Sequence, residues 1–390
     1  MSLAPCILRR AFRVRNASIL TLMAGLHLGV ARAEDSISAK YQDYRESDGR
    51  IAARVSGVAI EKVFGESTTL KASAVLDAIS GATPDGRPPA APGGSVPLSN
   101  LEEERRAWTF ELGRQFGQWN LAAGIAQSRE SDYHSTGGSL NAALNLNQKN
   151  TTLLFGVAAT RDKVKSPLQV PWENKRSLDL LAGLVQLLNP LTSVTINLSY
   201  GEASGYLSDP YKLIQKNAEV VPGFFLPLTY AENRPRSRKK WLALAAVNRA
   251  FPRLNGAIDT SVRLHVDDFG SSSQMLQVEW FQKVGGTLTF RPFVRLFQQD
   301  AADFYHISLD NTAIVPSRTP HGESPHYSAD YRLSALQSTA FGIKLVWMPK
   351  DSLQFDAALE RYSMHGRDDV TSPSAYPSAS IMTLGARILF

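Results

Sequence analysis

The residues of this 390-residue chain best suited to chemistry are histidines with acidic neighbours. His365 precedes Asp368 and Asp369, and His321, Glu323 and His326 fall within one short stretch. A histidine beside a carboxylate or a serine can move a proton or activate a nucleophile, as an outer-membrane hydrolase would require. Two histidines and a glutamate could also hold a metal ion, but the further ligands of a closed site are missing. The simpler reading makes both clusters plain polar loops. No Gly-rich phosphate loop, haem-attachment motif or paired-cysteine site accompanies them. The lone cysteine, Cys6, supplies no disulfide framework and no thiolate site. No catalytic residue, cofactor or metal site is therefore assigned.

A second set of charges recurs at alternate positions. Arg263, His265, Arg291, Arg295, Lys344 and Arg387 share this spacing with Asp259, Asp267, Glu279, Asp356 and Glu360. Alternation places them on one face of successive strands, opposite an apolar face. Lining a wide barrel, they would set a field that biases which solutes pass, and the basic members would favour anions. Pairing with one another, they would instead fill a narrower or plugged interior. Strand number decides, since roughly 16 strands leave an aqueous channel and about 8 do not. The densest basic run, Asn233 to Lys240, belongs to an outer rim in this topology. There Arg236, Arg238 and Lys239 either bridge glycolipid phosphates by charge-assisted hydrogen bonds or simply form a solvated loop base.

These charges need strands to hold them, and the chain supplies about sixteen candidates (14–18 are compatible). In Ala257 to Asp267, Ile258, Thr260, Val262, Leu264 and Val266 oppose Asp259, Ser261, Arg263, His265 and Asp267. Met275 to Lys283, Thr287 to Phe297, and the stripes Phe341 to Trp347 and Leu353 to Leu359 repeat the pattern. Ile51 to Glu61 and Leu178 to Leu188 alternate only in part. The last strand, Ile381 to Phe390, sets Met382, Leu384, Ala386, Ile388 and Phe390 against Thr383, Gly385 and Arg387. Its Leu384, Ile388 and terminal Phe390 resemble the insertion signal read by the barrel-assembly machinery of bacterial outer membranes. Links between strands alternate short and long, and all tight ones fall on the side of the C-terminus. Transmembrane barrels sort their turns this way; both ends of a soluble sandwich face water. The expected fold is all-β: an antiparallel up-and-down transmembrane barrel with both termini periplasmic. Trp108, Trp119, Trp241, Trp280 and Trp347 fit either an interfacial belt or ordinary core positions. Gly223 to Leu228 is an apolar patch that could fold inward as a constriction or pack on neighbouring loops.

The N-terminus carries Arg9, Arg10, Arg13 and Arg15, then an apolar run and Ala31-Arg32-Ala33. That is the layout of a cleaved secretory signal peptide, residues 1–33, leaving 34–390 as one barrel domain in the cell outer membrane. The apolar run is shorter than the roughly 17 to 25 residues of a spanning helix. The formal charge of +6 includes those arginines, so the mature chain is nearer neutral and no nucleic-acid partner is indicated.

Three stretches carry a family resemblance: Lys40-Tyr41-Gln42-Asp43-Tyr44-Arg45-Glu46, Asp77-Ala78-Ile79-Ser80-Gly81-Ala82-Thr83-Pro84, and Gly205-Tyr206-Leu207-Ser208-Asp209-Pro210-Tyr211-Lys212. In order, they resemble the proteobacterial outer-membrane barrels catalogued as domain of unknown function 3570. The resemblance spans the mature chain and implies an outer-membrane barrel without catalytic residues to transfer. Such proteins tend to be encoded beside small lipoproteins and a flavin-attaching transferase, which implies periplasmic lipoprotein or redox partners. The leading functional expectation is a channel or export conduit for small solutes or an envelope redox or secretion assembly. The alternative is a non-conducting scaffold that anchors periplasmic lipoproteins, and an outer-membrane hydrolase is a distant third. Deleting Phe390 is expected to lower the yield of membrane-inserted barrel, read by heat-modifiable gel mobility, and normal assembly of the truncated chain would refute the insertion role.

Overall fold

The computed structural model describes residues 35–91, 93–165 and 171–390. The proposed signal peptide and Glu34, the expected first mature residue, lie outside the described residues.

Inside a bilayer every backbone N–H and C=O must be satisfied by the protein itself, and a sheet does this only by closing. The chain forms a closed barrel of 16 antiparallel strands. Its first part comprises β1 (Ser36–Glu46), β2 (Ala52–Phe64), β3 (Thr68–Pro84), β4 (Leu98–Phe116), β5 (Trp119–Arg129), β6 (Tyr133–Leu146), β7 (Thr151–Val164), β8 (Glu173–Asn189) and β9 (Thr192–Gly205). A separate hairpin follows, β10 (Leu213–Val221) with β11 (Phe224–Ala231). The wall resumes with β12 (Ser237–Phe251), β13 (Gly256–Asp267), β14 (Ser272–Val284), β15 (Leu288–Gln299), β16 (Leu336–Lys350), β17 (Leu353–Gly366) and β18 (Ser378–Leu389).

Closure joins the first strand to the last, in register from Ser36 opposite Leu389 to Glu46 opposite Ala379. Side chains stitch the same seam. Gln42 donates to the Thr383 hydroxyl at 2.8 Å, and Arg387 donates to the Ser36 hydroxyl at 3.2 Å.

The two faces of the wall separate by residue type. Leu384, Ile388 and Phe390 lie on the outside with Ile343, Leu345, Leu140 and Phe155, all exposed. On the same strands Ala379 and Ile381 are buried inside, with Arg387 half-buried. Trp108, Trp119, Trp241 and Trp347 are exposed on the outer surface, which identifies a belt and not a core. Near the tight turns Trp347 stacks on Phe355 at 5.7 Å and Trp280 meets Phe251 at 5.8 Å; towards the other end Tyr200 and Trp241 lie 4.7 Å apart.

Links sort by end as expected, except that 130–132 and 268–271 are short links at the end with the long loops. The end shared with Ser36 and Leu389 carries 65–67, 117–118, 190–191, 285–287 and other tight turns, while 85–97, 206–236, 300–335 and 367–377 lie opposite. The first long link is confined to 85–97, because β3 and β4 stay paired out to Pro84 opposite Leu98. On the other side of β3, Gly81 with φ +117° lets the chain pass close to the β1–β2 link, where a Cβ would strike the Arg50 carbonyl. The Gly223–Leu228 patch forms the tip of the β10–β11 hairpin, where Phe224, Phe225, Leu226 and Leu228 are all exposed instead of packed on neighbouring loops. Each strand partner there satisfies the other's backbone, so the hairpin can stand outside the wall.

Leu384 lies outward near the middle of β18, so Leu384→Arg is expected to cost about 2–4 kcal/mol by placing a charge in hydrocarbon. Equilibrium unfolding in lipid vesicles measures this, with the inward substitution Thr383→Lys as a better-tolerated control.

Candidate functional site: the lumen and its outer plug

The alternating inward positions bring the predicted lumen charges together as pairs. Arg291 lies 2.8 Å from Glu279, Lys344 lies 3.0 Å from Asp356, and Arg295 lies 3.7 Å from Glu360. The guanidinium groups also sit over inward rings, Arg291 at 4.2 Å from Phe281 and Arg295 at 5.6 Å from Phe293. His265 lies 3.9 Å from Asp267, a carboxylate it shares with Arg238, and Arg263 is half-buried on the same strand. These lumen cations therefore meet carboxylates across the strands, whereas Arg387 donates to the Ser36 hydroxyl.

Above these pairs the long loops turn inward. Loop residues Tyr331, Ala375 and Tyr376 pack against Tyr44 of β1, Ala53 of β2, Ala340 of β16, Tyr362 of β17, and Ala379 and Ile381 of β18. Tyr331 and Tyr376 meet edge to face at 5.9 Å, and the Tyr376 and Ser334 hydroxyls are 2.7 Å apart. On the opposite side of the mouth the Tyr211 hydroxyl donates to Asp132, in the β5–β6 link, at 2.5 Å. Gln299 at the end of β15 donates to the Arg332 carbonyl at 2.8 Å and the Ser334 carbonyl at 3.0 Å. The folded-in segment is tethered from several sides of the rim, so it bridges the mouth.

The centre of this plug is ionic. Arg234 contacts Glu232 at 2.6 Å and Asp330 at 2.7 Å; Arg332 contacts Asp330 and reaches Asp209 at 2.6 Å. Lys212 donates to the Pro84 carbonyl at the end of β3 and lies 5.5 Å from the centre of the Tyr331 ring. Three cations thereby face three carboxylates, which is what burial of charge requires. Burial pushes the Asp330 carboxyl up, but Arg332, Lys212 and Arg234 outweigh it and hold the group below the usual range. Burial dominates at Glu232 and raises it. Burial also lowers the Lys212 ammonium to about 8 from its ordinary 10.5, against the pull of Asp330.

Other predicted residues disperse. Of the rim trio, Arg236 and Lys239 are exposed, whereas Arg238 turns inward to Asp267 and over the Phe269 ring at 4.7 Å. Strand alternation forces this, because neighbours 238 and 239 must face opposite sides; Arg238 is therefore withdrawn from the glycolipid-facing set. His365 contacts the Ser363 hydroxyl at 3.0 Å, while Asp368 accepts from Thr371 in its own turn. His326 contacts the Gly322 carbonyl at 3.2 Å. The single convergence of three potential metal ligands among the described residues is instead Glu103, Glu130 and Asp132. Ser131 already donates to Glu103, and Tyr211 to Asp132. The plug charges were missed because they come from two loops distant in sequence; only the density of charge in 209–234 and 330–332 hints at them.

A closed barrel with an apolar outer face, aromatic girdles, sorted turns and a charged interior is an outer-membrane β-barrel protein. The family described as "Protein of unknown function (DUF3570)" matches residues 17–174 and 168–382, and the chain belongs to it. No curated protein sequence matches the chain. Among solved structures, a bacterial polysaccharide outer membrane secretin superposes with TM-score 0.50 at 8% identity, over 92% of this chain and 99% of that one. The CymD monoaromatic hydrocarbon channel gives 0.43 at 10% identity, over 92% and 89%. The siderophore receptor PirA from Pseudomonas aeruginosa gives 0.45 at 10% identity, over 90% of this chain and 61% of the receptor. These likenesses are of fold alone, and the chain spans less than two thirds of the receptor's length.

Lys212 gives the plug a pH dependence with a definite sign. Between about 8 and 10.5 the undocked loop holds this proton and the docked one does not, so docking strengthens as pH rises through that window. A spin label at the exposed Thr319 should become less mobile over this range, and Lys212→Met should flatten the response.

Proposed function

We propose that the protein is a gated outer-membrane conduit for small solutes, held closed at its outer mouth by the folded-in loops. The observation that carries this reading is the plug itself: a balanced buried ion network spanning the mouth of a lumen wide enough to need one. Barrels of roughly 16 strands are wide enough for an aqueous channel, so inward loops set what passes. Below the plug the wall carries ion pairs in place of close apolar packing, and water can occupy such a surface. Insertion would use the barrel-assembly machinery, after export on a signal peptide cleaved near residue 33. Periplasmic lipoprotein or redox proteins would meet the conduit at the tight-turn end. The competing scaffold reading draws on the same plug, since a barrel that never opens can still anchor partners.

Opening the network separates the two. Removing one member of a buried pair costs about 3–5 kcal/mol, enough to undock the segment. Wild-type barrel in planar bilayers is expected to show rare, short conductance steps, and Arg234→Ala with Arg332→Ala frequent, long-lived ones. No steps from the double variant, with barrel folding verified by heat-modifiable mobility, would exclude the conduit and leave the scaffold.

A further inference from the structure

Away from the lumen, the outer ends of β5, β6, β7 and β8 form a concavity of about 500 Å³ on the outside of the wall. Its rim presents Arg129, His134, Arg161, Lys163, Asn174 and Arg176. By alternation all six face away from the lumen, and all are exposed. The one acid in the lining, Asp162, points into the barrel, accepting from Tyr133 at 2.6 Å and Ser135 at 2.7 Å, with Lys175 at 3.8 Å.

Three observations give this patch a ligand. First, its cations oppose one another across the ladder, where Arg161 directly faces Arg176. Like charges directly opposed destabilise a sheet, so an anion between them would relieve a built-in repulsion. Second, elsewhere on the outer face cations have acidic neighbours, Arg45 with Asp43 and Arg106 with Glu104, each at 2.7 Å. Among the described residues, no ion pair with a carboxylate involves Arg129, Arg161, Lys163 or Arg176. Third, the height is that of a headgroup. β5 is 11 residues long and ends on Arg129, about the length that crosses the hydrocarbon. Ile125, Leu140, Phe155, Leu178 and Leu180 lie exposed directly beneath, on the same four strands. Trp172 adds a ring 4.7 Å from His134, an amphipathic group suited to this depth.

We infer that this cradle binds the phosphorylated headgroup of an outer-leaflet glycolipid, with acyl chains lying down the apolar strip below and phosphates between Arg129, Arg161, Lys163 and Arg176. The guanidinium groups suit bidentate recognition of phosphate, and the concavity gives the sugar a place to sit. This site is separate from the exposed Arg236 and Lys239 and does not depend on the lumen conducting.

The test offers bisphosphorylated lipid A to detergent-solubilised, refolded full-length barrel and counts bound lipid by native mass spectrometry. Arg161→Gln with Arg176→Gln is expected to weaken binding at least about tenfold, and Arg161→Lys with Arg176→Lys to restore part of it. Arg129→Gln with Lys163→Gln should weaken binding likewise, and provides the test if the first pair fails the heat-modifiable mobility check for folding. Dephosphorylated lipid A should bind wild-type protein as poorly as bisphosphorylated lipid A binds the variants. Unchanged affinity in the folded variants, or equal affinity for dephosphorylated lipid A, would overturn the site. Inorganic phosphate that displaces lipid A at equal phosphate concentration would overturn the lipid assignment in favour of a free anion.

Discussion

The backbone hydrogen bond in a medium without water is the constraint from which the rest of this structure follows. It forbids an open edge, so β1 must find β18 and the sheet must close. Closure fixes which side chains face lipid and which face inward, because alternation leaves no freedom once the register is set. Arg238 illustrates how strict this is. It lies in the most basic run of the chain, yet its parity sends it inside to Asp267 while Lys239 stays out.

Sixteen strands enclose more space than wall side chains can fill, and the structure answers with chain from its loops. The answer is chemically mixed. An aromatic layer of Tyr331 and Tyr376 with Tyr44 and Tyr362 gives the inserted segment apolar contact with the wall. The network of Asp209, Lys212, Glu232, Arg234, Asp330 and Arg332 lies at its centre. Aromatic packing is tolerant of small shifts, whereas a buried ion network is not, since displacing one member strands another. The inserted segment is therefore suited to a few discrete positions more than to gradual loosening.

How much of this was legible in the sequence depended on range. Strand faces are set by neighbours two residues apart, so Ala257–Asp267 and Ile381–Phe390 can be read from the chain directly. Tight turns and long links are equally local. Strand ends beside Pro/Gly-rich links were not, because the pairing of Gly81 to Pro84 with Leu98 to Leu101 depends on two segments meeting. Whether Arg291 meets Glu279 or a solute is a matter of cross-strand register, which no single strand discloses. The plug needs still longer range: Asp209 meets Arg332, and Glu232 meets Ser328, across loops that only the closed barrel brings together. The apolar run Phe224–Leu228 is a related case, since the run alone does not disclose that it would form an exposed hairpin tip.

The seat of the inserted segment has a further consequence for the order of assembly. Tyr44 belongs to the first strand of the wall, and Ala379 and Ile381 to the last, and these side chains form one floor under Tyr331 and Tyr376. That floor does not exist until the two ends of the sheet have zipped together. The loops thus have nowhere to settle in a half-made barrel, and docking is confined to the finished one. A nascent wall can grow around an empty interior, and the arrival of its tyrosine-capped lid is a built-in receipt for a completed seam.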